Sequence, residues 1–267
     1  MSKIRFQSFS SGSCGNCYFI GIEEEKGSIA AGLLIDAGVG PRSLKKHLAA
    51  SGLGTEHIDA ILLTHDHMDH VRSLGTLCKY LRKPVWTTEV LHGALSRSPF
   101  YRNWYAPWGK VLAPGWNDFC GGRIRVHWFE LPHDATQTVG YAILLDGFRF
   151  VLMTDLGRMT QQALSFCSQA DCVVIESNYD REMLAHGPYP EDLKRRISQG
   201  HGHLSNDECA EAIRAFDHDG LRSVFLCHLS DHNNTPELAF STSRPSLSPD
   251  KRLVPLPRQV PSPLFEL

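Results

Sequence analysis

The stretch LLTHDHMDH, residues 62–70, places three histidines and two aspartates in six positions after an apolar run. Side chains two positions apart in an extended segment point the same way, so His65 and His67 can face one metal ion. Asp69 and His70 follow where the chain turns into the next helix, and a second ion would satisfy them. Imidazole and carboxylate are ligands for zinc, and also for manganese or iron. The stretch therefore predicts two half-sites for metal, the alternative being a polar turn that happens to be rich in histidine.

One segment cannot complete two metal sites, because each ion needs roughly four to six ligands, counting water. The chain offers further histidine and aspartate residues where predicted strands end. Loops gather at that edge of an α/β sandwich, and binding sites form there. One strand-end histidine is more often a structural residue, but several of them together with residues 65–70 indicate a shared site. The candidates are Asp36 in IDAG, His133 in LPHDA, Asp155 in TDLG and His228 in CHLS.

The elements that must position these side chains follow from the hydrophobic pattern. Residues 4–10, 16–22 and 32–38 are rich in β-branched and aromatic residues between Gly and Ser, and they predict short strands. The continuous apolar run at 58–64 predicts a strand buried on both faces. Residues 70–83 predict one helix directly after the histidine motif. The histidines therefore lie at the point where a buried strand gives way to a helix.

The second half of the chain determines the predicted fold class. Residues 123–155 contain three strand patterns, the last two joined by the hairpin turn DGF, and helices alternate with strands from residue 160 onward. The pattern predicts an α+β fold, a four-layer αβ/βα sandwich with helices outside two sheets. A doubly wound parallel sheet fits less well, because strands linked by hairpins imply antiparallel pairing.

We expect a single domain over residues 1–267, since no linker divides the chain. Residues 236–267 form a Pro-rich C-terminal tail, for which we expect loop with a short helix near 236–242 and an edge strand near the end. The formal net charge of -2 argues against a protein that coats DNA passively, although a nuclease needs only a local basic surface. The N-terminus has no signal-peptide pattern and no apolar run approaches bilayer length, which predicts a soluble, cytoplasmic protein without membrane contact.

The eight cysteines are scattered, and a cytoplasmic chain of this length does not need disulfides. Cys14 and Cys17 form a C-x-x-C pattern, which is found in redox pairs and in halves of zinc sites. No second C-x-x-C completes a four-cysteine zinc site, and no helix pattern begins at this one. The pattern therefore favours small residues in a tight, Gly-rich turn.

The pattern H-x-H-x-D-H, followed by a distant His, an Asp and a final His, resembles the metallo-β-lactamase superfamily from Asp36 to His228. The resemblance implies a metallo-β-lactamase fold that holds two divalent ions, Zn²⁺ or Mn²⁺. It also implies a role for each candidate residue. One ion is held by His65, His67 and His133, and the other is held by Asp69, His70 and His228. Asp155 is shared by both ions, and Asp36 orients the site.

Three further stretches resemble the YycJ/WalJ-type exonucleases, a bacterial group implied in 5′-to-3′ degradation of DNA during mismatch repair. They are SSGSCGN at 10–16, ESNYDREMLAHGPYPEDLKRRISQGHGHLSN at 176–206 and HLSDHNN at 228–234. Tyr179 departs from the pattern, which has a histidine at that position. The resemblance implies a metal-dependent nuclease that takes DNA as its substrate. Two ions that share a hydroxide would suit hydrolysis of a phosphodiester.

Catalysis also needs a proton or a positive partner for the leaving 3′-oxygen. By the resemblance, His203 in GHLSN takes this role as a histidine outside the metal ligands, with His201 as a bystander, and Asp69 is counted as catalytic as well as a ligand. The alternative for His203 is a purely structural role in its loop. For the substrate, Ser205 begins a helix whose first N–H groups attract anions. Ser11 and Ser13, in a Gly-containing turn, are also candidates for binding a substrate phosphate. A turn that binds no ligand explains the presence of these residues equally well.

Lys194, with Arg195 and Arg196, is a candidate contact for DNA phosphates, although such a run is more often a solvated helix face. The aromatic segment at 100–110 suits either core packing or stacking on unpaired bases. Rival functions are an RNA-processing nuclease, a small-molecule (thio)ester or lactam hydrolase, and a metal-dependent regulator. Only 47 residues separate Asp155 from His203, which leaves no room for the large inserted domain of RNase J-type enzymes. The sequence leaves the metal, the strand preference and the oligomeric state open.

Overall fold

The computed structural model describes residues 2–24 and 27–267, which form two seven-stranded sheets. The first sheet has the strand order β14-β1-β2-β3-β4-β5-β6. Its strands are β1 (Lys3–Gly12), β2 (Gly15–Glu23), β3 (Ile29–Ile35), β4 (Ala60–Leu62), β5 (Val85–Thr87), β6 (Gly109–Val111) and β14 (Phe265–Glu266). The second sheet has the order β13-β12-β11-β10-β9-β8-β7. Its strands are β7 (Trp116–Phe119), β8 (Ile124–Leu131), β9 (Thr138–Leu145), β10 (Phe148–Met153), β11 (Cys172–Glu176), β12 (Ser223–Cys227) and β13 (Arg252–Pro255).

Each sheet combines an antiparallel half with a parallel half. Strands β1 to β3 pair antiparallel, whereas β3 to β6 pair parallel. Strands β7 to β10 pair antiparallel, whereas β10 to β13 pair parallel. Parallel neighbours present their carboxyl ends at the same edge of a sheet, so residues that follow β3, β4, β10, β11 and β12 can meet there.

Helices cover the outer faces of both sheets. Those of the first half are α1 (Pro41–Ala50), α2 (Met68–Val71), α3 (Leu74–Leu81), α4 (Glu89–Arg97) and α5 (Arg102–Tyr105). Those of the second half are α6 (Gln161–Cys167), α7 (Arg181–His186), α8 (Glu191–Ser198), α9 (Asn206–Phe216) and α10 (Pro236–Ser243). No helix in the described parts of the chain has the length and apolar character needed to cross a membrane.

Three apolar clusters hold the layers together. The central cluster lies between the sheets, where the ring of Phe6 is 5.4 Å from that of Phe150 and 5.1 Å from that of Phe225. A second cluster joins the second sheet to α6 and α9, and a third joins the first sheet to α1 and α3. Burial of apolar surface on both faces of each sheet stabilises the stack. The predicted four-layer αβ/βα sandwich is confirmed.

The helix predicted over residues 70–83 is wrong in one respect, because the structure has two helices there, α2 and α3. The backbone N–H of Ser73 donates to the carbonyl of Ala37 (3.0 Å), and the N–H of Ala37 donates to the carbonyl of His70 (2.7 Å). The chain after β3 therefore binds to the break between the helices. The break lets α2 present its metal-motif side chains while α3 packs its apolar face on the sheet.

The Pro-rich tail is bound along its length to the sandwich. It contains α10, which covers the predicted helix near 236–242, and the edge strand β14, which pairs with β1. It also contains β13, which the sequence pattern did not predict, at the edge of the second sheet. The N–H of Ser262 donates to the carbonyl of Ser8 (2.8 Å), and the N–H of Ser11 donates to that of Arg258 (2.9 Å). Tail residues thus fix the strand that leads to the predicted site.

Candidate metal centre and active site

Most of the candidate site residues lie at the carboxyl ends of parallel strands, whereas His133 follows the antiparallel strand β8. Asp36 follows β3 directly, Asp155 follows β10 after Thr154, and His228 follows β12 directly. All three have left-handed backbone conformations, with φ of 64°, 56° and 54°. Such a φ costs a residue with a side chain about 1–3 kcal/mol and persists where the surroundings enforce it. The chain thus holds three site residues in strained turns at one sheet edge.

The first group of ligands consists of three histidines whose ring nitrogens lie within 4.8 Å of one another, His65, His67 and His133. Nε2 of His133 is 3.2 Å from Nδ1 of His67. Nδ1 of His133 donates to the carbonyl of Gly202 (2.6 Å), which leaves Nε2 facing the group. An outer hydrogen bond of this kind fixes the orientation of a metal-binding imidazole.

The second group combines two carboxylates and two imidazoles, Asp69, His70, Asp155 and His228. Nε2 of His70 is 3.0 Å from Oδ2 of Asp155, and Nε2 of His228 is 3.4 Å from Oδ2 of Asp69. Oδ1 of Asp155 also lies 3.6 Å from Nε2 of His133. Asp155 therefore lies between the two groups and faces both.

The donor atoms fit bound metal ions. Nε2 of His65 is buried and has no hydrogen-bond partner among the residues that the structure describes, while its Nδ1 is 3.0 Å from Oγ1 of Thr64. Burial, with help from the neighbouring imidazoles, holds the pKa of His65 well below its ordinary value, so the ring is neutral. A neutral, unpartnered ring nitrogen that faces other donor atoms is what a metal-binding imidazole requires. The residues present thus suit two divalent ions, one for each group.

In the metal-free protein, the carboxylates of the second group favour the protonated, positively charged forms of its two imidazoles. Burial lowers the pKa of His70, but the carboxylates of Asp155 and Asp36 outweigh it and raise the pKa well above its ordinary value. Burial likewise opposes protonation of His228, whose pKa is nevertheless raised to about 10 by Asp155, Asp69 and Glu176. Metal binding must displace these protons, because an imidazole ligand has to be neutral.

Asp36 orients His70 from behind. Its Oδ2 accepts from Nδ1 of His70 (2.7 Å), and its Oδ1 accepts from the backbone N–H of Thr64 (2.8 Å). Both Asp36 and His70 are fully buried. The hydrogen bond leaves Nε2 of His70 directed at Asp155, which is the arrangement that a metal-binding histidine needs.

Glu176 is a site residue that the sequence reasoning missed. This buried carboxylate ends β11, and its Oε1 accepts from Nδ1 of His203 (2.8 Å) and from Nδ1 of His228 (2.9 Å). Its Oε2 accepts from the backbone N–H groups of Leu156 (2.8 Å) and Leu204 (3.0 Å). The strand-end position that indicated Asp155 and His228 also applies to Glu176, in DCVVIES, but a glutamate there is a weaker signal than a histidine or aspartate of the motif.

Two asparagines near the ligands were also missed. Nδ2 of Asn16 lies 2.8 Å from Nε2 of His70 and 3.1 Å from Oδ2 of Asp69. Nδ2 of Asn178 donates to the carbonyl of His228 (2.8 Å), which supports its left-handed backbone. The segments SSGSCGN and ESNYD contain these residues, but only the tertiary fold shows what they contact.

His203 faces the same cavity as the ligands. Its side chain is 22% exposed, and its ring lies 5.0 Å from that of His133 and 5.2 Å from that of His228. Burial would lower the pKa of His203, but the charge and hydrogen bond of Glu176 raise it. The carboxylate of Glu176 therefore favours the protonated form of this ring and holds its Nδ1.

The cavity over this centre has a volume of about 250 Å³. Besides the ligands and His203, its walls include Ser13, Tyr189, Arg196 and Ser230. Arg196 forms an ion pair with Asp134, whose backbone carbonyl is 3.2 Å from Nε2 of His67. The cavity wall thus has one guanidinium and three hydroxyl groups near the candidate ligands.

Three of the predicted substrate contacts lie elsewhere. Ser11 is buried, and its hydroxyl accepts from the backbone N–H of His228 (2.9 Å), so it positions a ligand. Lys194 donates to the carbonyl of Ala185 (2.7 Å) and lines a different depression. Ser205 is buried, and its amide and hydroxyl groups bond with Glu208 in a capping box. Of the four predicted contacts, the structure brings Ser13 into the cavity wall.

The remaining sequence features do not disturb the centre. Cys14 is exposed in the turn between β1 and β2, whereas Cys17 is buried in β2. Tyr179, which departs from the exonuclease pattern, is buried and lines a depression outside the cavity. The departure therefore leaves every proposed ligand in place.

Comparisons with known proteins agree with this geometry. A family model described as "Beta-lactamase superfamily domain" matches residues 32–229. The chain is 32% identical to exodeoxyribonuclease WalJ of Streptococcus pneumoniae over 91% of this chain and 88% of that protein. It is 32% identical to exodeoxyribonuclease YycJ of Bacillus anthracis over 88% of this chain and 86% of that protein.

Among solved structures, the metallo-β-lactamase fold protein YhfI of Bacillus subtilis superposes with a TM-score of 0.71. The two share 15% sequence identity, and the match covers the whole of both chains, which shows the fold alone. The family model and the two curated relatives give the finer assignment. The chain belongs to the β-lactamase superfamily and is a metal-dependent hydrolase with a candidate site for two ions.

Proposed function

We propose that the protein is a dinuclear-metal phosphodiesterase, a DNA exonuclease that degrades DNA from the 5′ end in DNA repair. The observation that carries the proposal is the position of Asp155 between two groups of ligands, with His203 beside them in the same cavity. The names of the two curated relatives support DNA as the substrate. The proposal includes a cytoplasmic location, where a repair nuclease of a bacterial cell meets its DNA.

The ligand sets suit Zn²⁺ or Mn²⁺, since imidazole and carboxylate donors accept both. His65, His67 and His133 would hold one ion, Asp69, His70 and His228 the other, and Asp155 would contact both. Two such ions would bind phosphodiester oxygens and lower the pKa of a water molecule, which supplies the nucleophile at neutral pH.

His203 supplies the proton that the leaving oxygen needs. Glu176 binds its Nδ1 and raises its pKa, which favours the doubly protonated ring whose Nε2–H can be donated. A general acid is most effective when its pKa lies near the working pH. Glu176 has no proton to give in this state, because His203 and His228 lower its pKa despite its burial. In this pair, His203 is the proton donor and Glu176 is the group that orients it.

The cavity wall selects for a phosphodiester rather than for a neutral ester. Arg196 is 60% exposed in its side chain and reaches the cavity from α8, so its guanidinium can exchange Asp134 for a substrate phosphate. Ser13 adds a hydroxyl and a backbone N–H from the turn between β1 and β2. A net charge of -2 means that these local groups, rather than a global field, must attract the nucleic acid.

The test is a substrate panel with a ligand variant. Protein loaded with Mn²⁺ or Zn²⁺ is incubated with 5′-labelled and 3′-labelled DNA and RNA, and with a lactam and a thioester. We expect DNA to be degraded and the His67→Ala variant to be inactive with an unchanged circular dichroism spectrum. Intact DNA with both metals, together with turnover of the lactam, the thioester or RNA, would overturn the assignment.

A further inference from the structure

A groove beside the metal centre carries exposed aromatic rings and basic groups. It has a volume of about 430 Å³ and lies between α2, α3 and the segment that leads into α5. We call it the aromatic groove. Its chemically distinctive lining consists of Met68, Arg72, Lys79, Phe100, Tyr101 and Trp104.

The rings in this groove face solvent although they are large and apolar. Phe100 is 82% exposed, Met68 is 65% exposed and Trp104 is 48% exposed, whereas Tyr105 in the same segment is completely buried. The segment at 100–110 therefore buries Tyr105 in the core and leaves Phe100 and Trp104 exposed. Adjacent exposed apolar groups of this kind mark an interaction surface rather than incidental exposure.

The rings are also held in place. Tyr101 donates its hydroxyl to the sulfur of Met68 (3.3 Å), and the ring of Phe100 lies 6.5 Å from that of Tyr101. Trp104 packs so closely on α3 that a Cβ added at Gly75 would lie 3.3 Å from its Cδ1. A fixed ring loses little conformational entropy when a flat partner stacks on it.

Charge in the groove favours an anionic partner. Nζ of Lys79 lies over the Trp104 ring, 5.0 Å from its centre. Arg72 also lines the groove and is exposed, and its Nε donates to the carbonyl of Gly38 (2.7 Å), which fixes the guanidinium. No Asp or Glu within residues 2–24 and 27–267 lines the groove. Asp66, whose charge reaches Tyr101, is engaged with the amide and hydroxyl of Thr136. Stacking faces next to cations suit a polymer of bases and phosphates.

The groove adjoins the cavity of the metal centre. Met68 lies between the ligands His67 and Asp69 in the sequence and lines the groove, while both of its neighbours line the cavity. A chain that leaves the centre on this side would therefore run onto the aromatic rings. Bases must be unpaired to stack on them, so the expected occupant is a single strand.

We propose that the aromatic groove binds the single-stranded part of the DNA substrate, by base stacking on Phe100 and Trp104 and by phosphate contacts with Arg72 and Lys79. This inference rests on the proposed function, because it assumes a DNA substrate at the metal centre. It adds a specific strand state and a path for the strand, which the metal centre alone does not provide.

Anisotropy titration of a 20-nucleotide fluorescein-labelled oligo(dT) with metal-free protein tests the groove. We expect Trp104→Ala and Phe100→Ala each to weaken binding about ten-fold, in keeping with the loss of one stacked base. Phe100 is largely exposed, so its variant retains the fold. Trp104→Phe should recover most of the affinity. Lys79→Gln should also reduce the slope of log Kd against log salt, whereas Phe100→Ala should leave that slope unchanged.

The matched control is Trp116→Ala. Trp116 is a 39% exposed tryptophan on β7 with Arg125 5.4 Å over its ring, but it lies outside the groove. Its variant should bind the oligonucleotide as the unmodified protein does. Dissociation constants of Phe100→Ala and Trp104→Ala within two-fold of the unmodified protein would overturn the proposal. A change in sedimentation with unchanged DNA binding would also overturn it and assign the surface to contact between protein copies.

Turnover of bis(p-nitrophenyl) phosphate by the Mn²⁺-loaded protein separates this inference from the proposed function. This small phosphodiester reports on the metal centre alone. The rate of DNA degradation by each variant is therefore expressed relative to its rate on this compound. If the protein hydrolyses it and degrades DNA while groove variants bind normally, the groove inference fails and the proposed function stands. If the protein degrades no DNA yet binds the oligonucleotide through the groove, the proposed function fails, and the groove binds single-stranded DNA that is not a substrate.

Discussion

The carboxylate of Glu176 accepts a hydrogen bond of 2.8 Å from Nδ1 of His203, and the same oxygen lies 2.9 Å from Nδ1 of His228. One buried acid therefore orients both a proposed metal ligand and a proposed proton donor. A change at Glu176 must act on the metal centre and on proton transfer together, whereas a change at His203 acts on proton transfer alone. The first two predictions separate these effects.

For His203, we expect His203→Ala to slow DNA cleavage by about 10²–10⁴-fold, the usual contribution of a general acid. The metal content should remain unchanged, because His203 belongs to neither of the two groups of proposed ligands. The measurement is single-turnover cleavage together with elemental analysis. His201, exposed and two positions earlier, provides the matched control. A normal rate for His203→Ala would remove this residue from the mechanism.

For Glu176, we expect Glu176→Gln to lower activity or metal affinity by about 10–100-fold, as loss of a carboxylate behind a ligand does. The pKa of His203 should fall without the charge that raises it. A proton donor is lost above its pKa, so the alkaline limb of the rate profile should move to lower pH. The rate is measured from pH 6 to 10. An unchanged alkaline limb would contradict the orienting role of Glu176.

Metal binding should release protons. In the metal-free protein, the raised pKa values of His70 and His228 keep both rings protonated near neutral pH. An ion must displace these protons, so the apparent affinity should increase as the pH rises towards about 10. Calorimetry of Zn²⁺ binding in Hepes and in Tris measures the protons released. Equal heats in the two buffers, after correction for metal–buffer binding, would show that the rings are already neutral.

The metal-free protein should lose stability as the pH rises. His228 has a pKa of about 10 when folded and an ordinary value of 6.5 when unfolded. Its contribution is therefore fully present below pH 6.5 and is lost as the pH rises through 10, and His70 acts in the same direction. Urea denaturation between pH 6.5 and 8.5 tests this before thiols titrate. A free energy of unfolding that stays constant or rises would contradict it.

A close backbone approach behind the ligands gives a further prediction. A Cβ added at Gly38 would overlap the carbonyl oxygen of Asp69 and the backbone nitrogen of Asn16. We expect Gly38→Ala to lower the free energy of unfolding by about 1–3 kcal/mol and to reduce the metal content. At Gly40, where the first atom met is Oγ of Ser73 at 3.8 Å, alanine should change neither quantity. Equal effects at both positions would refute the packing argument.

Much of the candidate site was predictable because its residues lie at strand ends in the sequence. Asp155 and His228 each follow an apolar run that forms a parallel strand, and parallel strands bring such positions to one edge. His133 follows an apolar run as well, but it reaches the site from the antiparallel strand β8. Glu176 has the same signal, but a single glutamate after a strand is too common to identify alone. The break between α2 and α3 was not predictable, because it depends on hydrogen bonds from Ala37, which is distant in the sequence.

The substrate contacts were harder to predict than the ligands. Whether a helix residue faces a cavity depends on how the helix is rotated against its neighbours, and one position along α8 separates Arg195 from Arg196. Arg196 lines the cavity, whereas Lys194 bonds to a carbonyl on another face. Ser205 has the right position at a helix start, but its own capping box uses its polar groups. Sequence patterns identify such residues without giving their direction.

The most direct test of the central claim is a time course of label release from 5′-labelled single-stranded DNA by the Mn²⁺-loaded protein. We expect the 5′ label to appear in the smallest products from the first time points, while the 3′-labelled strand shortens gradually. His67→Ala, prepared in the same way, should release no label. Label that remains in full-length DNA, or that first appears in products cut from the 3′ end, would contradict the account.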